Sequence, residues 1–418
     1  MSSVKLKHGS GNGTIINGPA ANPSADITLK VPSTTGEAGQ VLSVATANHS
    51  ATNAELEWAA AGGGSVSNLI INGAMNVAQR GASSTSGGYK TVDRWQVSDN
   101  NTNVTITQAK HALTSSDTGP WAKGFRNSYH ISLSAAGNSL DGSSLIELVY
   151  GIEAQDLANS GWDYTSASSY ITISFWFKCS TNQTFYGHLR TKDGTEQGYP
   201  FSFTASGNDT WTKITQSIPG NSNIQFDNDA NLGCQLRIIP YMGANYTDSG
   251  RADKTWAAHA SGTYLPDMAN TWITAGTSSF EFTGVQLEVG NSASDYCFES
   301  YGETLRKCQR YYQAWAAKHD IHMMPARGEG SDSCYVGVPL CVPIRAQPTV
   351  ACASHRFYRS VSAGYTSSST APTIAGWTDA STRSPVISIL ATGFTASNNE
   401  AGSWSPEGEN LLSFDAEL

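Results

Sequence analysis

The sequence predicts an all-β protein built around an antiparallel two-sheet sandwich. Three observations predict it. Of the 418 residues only 14% are charged while 40 are Gly, and Ser, Thr and Asn are abundant, a composition of short strands and polar turns. Tyr170 to Lys178 (YITISFWFK) alternates, with Ile171, Ile173, Phe175 and Phe177 on one face and Thr172, Ser174, Trp176 and Lys178 on the other, as a half-buried antiparallel strand does. Helical periodicity is confined to one short stretch after Ser300. The length suggests two or three domains.

Residues 1–64 are poor in aromatics, with short β-like pieces at Ile27 to Val31, Val41 to Val44 and Glu55 to Trp58. Such a segment cannot bury a core alone and must wrap with copies of itself or dock elsewhere. The run AAAGGG at 59–64 reads as a flexible joint and a domain boundary. From 65 to 300 strand signals dominate. Cys234, Leu236 and Ile238 alternate with Gln235 and Arg237. Phe280 to Val289 carries two apolar sets out of phase, Phe280 and Phe282 against Val285, Leu287 and Val289, which a bulge near Gly284 reconciles. Trp95, Trp176 and Trp211 lie in or beside strand patterns and read as core.

Ser300 and Glu303 have capping-box spacing, and Leu305, Cys308 and Tyr312 recur every three to four residues, predicting a linking helix over 301–315. Two readings stand: three copies packing through Leu305, Cys308 and Tyr312, or one helix capping its own sandwich. Residues 316–418 read as a further small β-domain. Within it, 333–353 (SCYVGVPLCVPIRAQPTVACA) predicts two strands joined by a Pro-containing turn, with Pro339, Pro343 and Pro348 at strand edges or ends. Val386 to Leu390 predicts another strand.

Two blocks are more specific than any pattern of alternation. Residues 68–95 read N-L-I-x-N-G…Q-R-G…D-R-W, and 284–312 read Q-L-E-x-G…Y-G-E-x-L-x-x-C-Q-R-Y-Y. Together they resemble the flanks of the jelly-roll domain in tail fibre proteins of tailed bacteriophages. The pattern L-K-V-P-S-T-T-G-E-A-G-Q-V-L-S-V…E-L-E-W is similar to the N-terminal part of phage fibres, and V-P-I-R-A-x-P-T-V to their C-terminal head domain. The likeness spans residues 27–352. It implies an N-terminal virion attachment and trimerisation segment (1–64), a jelly-roll sandwich (65–300), the linking helix (301–315) and a distal β-domain (316–418) in a homotrimeric fibre. That fibre would be assembled in the host cytoplasm, dock on a tail adaptor, nozzle or other fibre protein, and bind a bacterial surface glycan.

Charge narrows the function classes. The net charge is −9 and Lys and Arg are scattered, so no basic stripe awaits a phosphate backbone. No apolar run nears the roughly 20 residues of a bilayer span, and MSSVKLKHGSG lacks the apolar core of a signal peptide. The seven cysteines contain no C-x-x-C pair and read as free thiols, although Cys334 and Cys341 would face each other across a hairpin. Glu147, Glu153 and Asp156 form the densest carboxylate group, but their segment, Leu145 to Leu157, matches the part of the phage jelly roll where the acid supports the fold. Among nine histidines only His319 and His322 lie close, without a third ligand. No nucleophile elbow, P-loop or dinucleotide fingerprint occurs, so no enzyme and no cofactor or metal is expected.

The aromatics suggest recognition instead. Tyr246, Trp256 and Tyr264 lie in one polar loop, and Tyr365, Trp377 and Trp404 near the C-terminus, each flanked by Asn, Asp, Ser or Gly. An exposed ring stacks on a sugar's apolar face while polar neighbours hold its hydroxyls. These six are the candidate glycan-binding residues. The alternatives are a tailspike depolymerase cleaving a surface polysaccharide, which needs two carboxylates across the scissile bond, and a purely structural connector fibre.

Overall fold

Two six-stranded sheets face each other across the largest core of the molecule. The computed structural model describes residues 3–7, 13–17, 28–30, 32–33, 40–44, 53–60, 68–204, 209–316, 324–360, 364–377, 382–407 and 411–418. The chain divides into two units, 1–66 and 67–418. In the first, Ser3–Lys7 pairs with Gly13–Asn17, and Asn53–Ala60 lies antiparallel to Gln40–Val44 and parallel to Thr28–Lys30.

The second unit holds a jelly-roll β-sandwich. Sheet I orders Ala257–Ala258, Gln197–Thr204, Thr184–Thr191, Leu232–Met242, Leu145–Glu153 and Trp95–Asn100. Sheet II orders Thr212–Pro219, Tyr170–Cys179, Ser279–Val289, Asn127–Leu133, Ile106–Ala112 and Ser83–Ser84. All pairings within both sheets are antiparallel, and the chain passes repeatedly from one sheet to the other. Ile171, Ile173, Phe175 and Phe177 meet Leu236, Ile238, Phe185 and Phe203 in the core, as alternation predicts. The opposite face of Tyr170–Cys179 is not solvated. Thr172 and Ser174 are buried there, and Trp176 sits in a second apolar cluster with Leu113, Trp121, Phe125 and Trp211.

The bulge forms where the two apolar phases demand it. Ser174 pairs with Gln286 but Trp176 with Thr283, so the strand Ser279–Val289 carries one extra residue. Phe280, Phe282, Val285 and Leu287 therefore all enter the core. Gly284 has φ +65°, and a Cβ there would lie 2.6 Å from the Phe125 ring, so both conformation and space require glycine.

Ser300 caps the helix Tyr301–Gln309, its Oγ accepting from the Glu303 amide at 3.2 Å. The helix stops short of 315. Tyr312–Ala316 is a strand instead, pairing with Leu411–Asp415, which also pairs with Thr349–Ala351. Cys308 is buried within its own chain, and Tyr312 lies in that strand beneath the Arg80 guanidinium, 3.6 Å from the ring centroid. The seam of Leu305, Cys308 and Tyr312 is therefore not presented as one helical face, because tertiary pairing captures its last member.

The remaining sheet has seven strands, in the order Tyr365–Ser368, His355–Arg359, Ala401–Pro406, Met324–Glu329, Ser333–Pro339, Val386–Thr392 and Thr373–Ile374. Residues 333–353 do not form a hairpin. Ser333–Pro339 belongs to this sheet and Thr349–Ala351 to the three-stranded one, since the intervening prolines remove the amides a hairpin ladder needs. Cys334 is buried and Cys341 exposed, and all seven thiols are free.

The two sequence blocks meet as a joint between the sandwich and the C-terminal sheets. Asn68 donates to Val285 O and accepts from Leu287 N, at 3.0 and 2.9 Å. Gln79 binds Asp93 and donates to Tyr312 O at 2.9 Å. Arg80 pairs with Asp415 at 3.0 Å and Glu417 at 3.2 Å. Arg94, fully buried at φ +74°, pairs with Glu417, donates to Gly151 O at 2.7 Å and lies 3.4 Å over the Tyr311 ring. Asp93 and Arg94 thus serve different partners. Burial, against the Gln79 hydrogen bonds, lifts the Asp93 carboxyl to about 6.

Candidate functional site

The face of sheet I turned away from the core is polar yet largely covered. Alternation places Phe185 and Leu189 inward, which turns Tyr186, His188 and Arg190 outward. On the neighbouring strand Gln235, Arg237 and Ile239 do the same, in register with Arg190, His188 and Tyr186. Glu147 lies at a register shift of the next strand and accepts from Arg237 at 3.0 Å, while Gln235 accepts from it at 2.8 Å. Arg190 donates to Glu196 at 2.7 Å, and Lys192 to the same carboxylate at 2.5 Å.

The loop 243–268 straps across this face. Its backbone is fixed by Lys254 N to Pro200 O at 2.9 Å and His259 N to Glu196 O at 2.7 Å, and Asp253 accepts from Ser202 N and Oγ at 3.0 and 2.6 Å. Tyr246 and Tyr264 stand 5.7 Å apart, both half-buried. The Tyr264 ring runs parallel to His188 at 6.0 Å, lies 4.5 Å from His259, and is flanked by Arg190 at 5.8 Å and Arg237 at 5.6 Å. Leu145, Tyr186, Ile239, Met242 and Leu265 form the apolar footing of the strap. Trp256 is different: it packs on Tyr199 and donates to Pro219 O at 2.6 Å.

Burial first, then Arg237 and His259, hold His188 well below the usual imidazole range. Burial and Arg190 bring His259 down to about 4. Between about pH 6.5, where an unfolded histidine titrates, and 4, the unfolded chain binds more protons than the folded one, so stability rises with pH in that window and is lost on acidification. The double variant His188→Gln/His259→Gln should therefore lose less melting temperature than the parent between neutral pH and about pH 5. An equal loss in both proteins would contradict this.

The C-terminal candidates separate. Tyr365 is 48% exposed, 5.3 Å from Tyr358 and beneath Arg356 at 4.1 Å. Trp377 is partly buried against the C-terminal core. Trp404 is wholly buried, its Nε1 donating to His355 Nδ1 at 3.0 Å. It offers no face to a sugar, because its strand lies between those carrying Phe357 and Met324, its partners in register. Of the three tryptophans read as core from the sequence, Trp176 and Trp211 line the second cluster on sheet II, while Trp95 lies in the inter-sheet core.

Of the carboxylates, Glu147 is held by Arg237. Glu153, fully buried, accepts two hydrogen bonds from Arg310 at 2.9 and 2.8 Å and one from the Tyr311 hydroxyl at 2.6 Å. Burial acts to raise Glu153, but Arg310 and Tyr311 hold it below the usual range. It joins sandwich to C-terminal sheet. His319 and His322 lie outside the described residues. The sequence reading missed His188, Arg190 and Arg237. For Arg237 the signal is the off-core phase of the strand whose core phase Cys234, Leu236 and Ile238 mark, whereas the strand Thr184–Thr191, which carries His188 and Arg190, has Gly187 in its core phase and goes unread in the sequence.

No family model matches the chain, and no curated protein does. Among solved structures, it is similar to the enzymatically active domain of tailspike protein 4 from bacteriophage CBA120, at 12% identity over 53% of this chain, with a TM-score of 0.28. The match spans 21% of that tailspike chain. A CBM4 structure matches at 13% identity over 53% of this chain and all of its own, TM-score 0.28. A family 11 carbohydrate-binding module from Clostridium thermocellum, in complex with a β-1,3-1,4-mixed-linked tetrasaccharide, matches at 10% identity over 50% of this chain and 95% of its own, TM-score 0.24.

Proposed function

We propose that this chain is a glycan-recognising tail fibre, or a related receptor-binding appendage of a bacteriophage virion, working as a homotrimer. The observation that carries the glycan reading is Tyr264, half-buried beside Arg190, Arg237 and His259, with Tyr246 5.7 Å from it. Aromatic rings beside fixed guanidinium, amide and imidazole donors supply the stacking and hydrogen bonds that saccharides require. The fibre reading is supported by the two sequence blocks that resemble phage jelly-roll flanks. On it, the N-terminal 64 residues attach the chain to the tail and the protein resides in the virion. With Trp404 in the core, the sheet I face becomes the binding surface, and the exposed Tyr365 marks the alternative to it.

A weak single site suffices in a trimer, because simultaneous contacts raise avidity by roughly 10² to 10⁴. The test is retention of the full chain on an array of bacterial surface polysaccharides, with light scattering for mass. Specific retention and three times the chain mass are expected. Retention of no polysaccharide would overturn glycan recognition, and a monomeric mass would overturn the trimer. A depolymerase would instead shorten the retained polysaccharide, which this account does not expect with Glu147 and Glu153 held by Arg237 and Arg310.

A further inference from the structure

We infer that the saccharide received by the sheet I face is acidic, its anionic group seated among Arg237, Arg190 and His188. This rests on the glycan reading above. Two buried polar atoms of this cluster have no partner: Arg237 Nε and His188 Nδ1. Both residues are nearly inaccessible, at 8% and 1% exposure, and an unpaired buried polar group is costly to keep. The other Arg237 donors are engaged by Glu147 and Gln235, which fixes the plane of the guanidinium and leaves its Nε without an acceptor. Guanidinium geometry suits carboxylate or phosphate oxygens best.

The cations are only partly matched by local acids: Arg190 and Lys192 share the single carboxylate of Glu196, while Arg237 has Glu147. Arg251 spends its donors on the carbonyls of Gly198, Ala252 and Thr255, and among the described residues no carboxylate lies in ion-pair contact with it. Asp253 is engaged by Ser202. Burial chiefly, with Arg237 at His188 and Arg190 at His259, keeps both imidazoles low, although Glu196 opposes the shift at His259. A neutral sugar brings no charge to these cations, whereas one anionic group on the ring stacked at Tyr264 supplies both a counter-charge and an acceptor for the unpaired Arg237 Nε.

The test uses the full chain on polysaccharides it retains, each presented native, carboxyl-reduced and phosphate-stripped. Binding is expected only to acidic polysaccharides and should weaken tenfold or more in the arm that removes the anionic group, which also tells carboxylate from phosphate. The variants Arg190→Gln and Glu147→Gln/Arg237→Gln should weaken binding to the native form similarly, with near-ultraviolet circular dichroism confirming their fold. The chemical arms need no variant, so a misfolded protein does not blunt the test. Retention unchanged after both treatments would overturn the acidic assignment while leaving glycan recognition intact. Retention of nothing would bring down the glycan reading, and this inference with it.

Discussion

Replacing Glu417 with alanine should destabilise the protein by about 3–5 kcal/mol, the cost of leaving a buried ion without its partner. Arg94 is 1% exposed at its side chain and Glu417 4%, so water cannot take over the lost contact. After the substitution Arg94 keeps the Gly151 carbonyl but no carboxylate, and Arg80 keeps only Asp415. The Tyr89 hydroxyl, which donates to Leu418 O at 2.9 Å, Arg345, which donates to Ala416 O at 2.7 Å, and Ala416 N, which donates to Tyr311 O at 2.8 Å, would still hold the end of the chain. Denaturant unfolding of the full chain measures the loss, and hydrogen exchange should show faster opening of Leu411–Asp415. A loss below about 1 kcal/mol, the value of an exposed pair, would mean that the joint does not depend on this contact.

Trp404→Ala should cost about 3–5 kcal/mol as well, by emptying a large volume in the C-terminal core. It also strips His355 of the donor on its Nδ1, in a pocket shared with Phe394 and Phe357. Tyr365→Ala, at an exposed ring, should change stability by no more than about 0.5 kcal/mol. Thermal unfolding of the two variants side by side decides the matter. Equal melting temperatures would contradict the placement of Trp404.

These two residues mark what sequence reading reaches. Alternation is a local property, so Tyr170–Cys179 and the off-phase apolar sets around Gly284 disclosed both strands and the bulge between their partners. The Ser300 cap was equally local. Trp404 stands alone among Ser, Gly and Pro and has no apolar phase of its own. Its burial comes from Phe357 and Met324 on neighbouring strands, far away in the chain. The helix end failed for the same reason, since the strand partner of Tyr312 is Asp415. The two sequence blocks were visible as patterns, but the partner that explains Arg80 and Arg94 is Glu417, more than 300 residues on. In the candidate site Tyr246 and Tyr264 were legible as polar-loop aromatics, whereas His188 and Arg237 lay hidden on the less conspicuous phase of core strands.

The central claim is that the strapped face of sheet I reads the glycan, and titration calorimetry of one retained polysaccharide against the parent, Tyr264→Ala and Tyr365→Ala tests it most directly. Tyr264 is partly exposed beside fixed polar groups, so its removal should weaken binding about tenfold or more while the fold survives. Tyr365→Ala should bind as the parent does. Undiminished binding by Tyr264→Ala, with loss in Tyr365→Ala, would contradict the account and place recognition on the seven-stranded sheet.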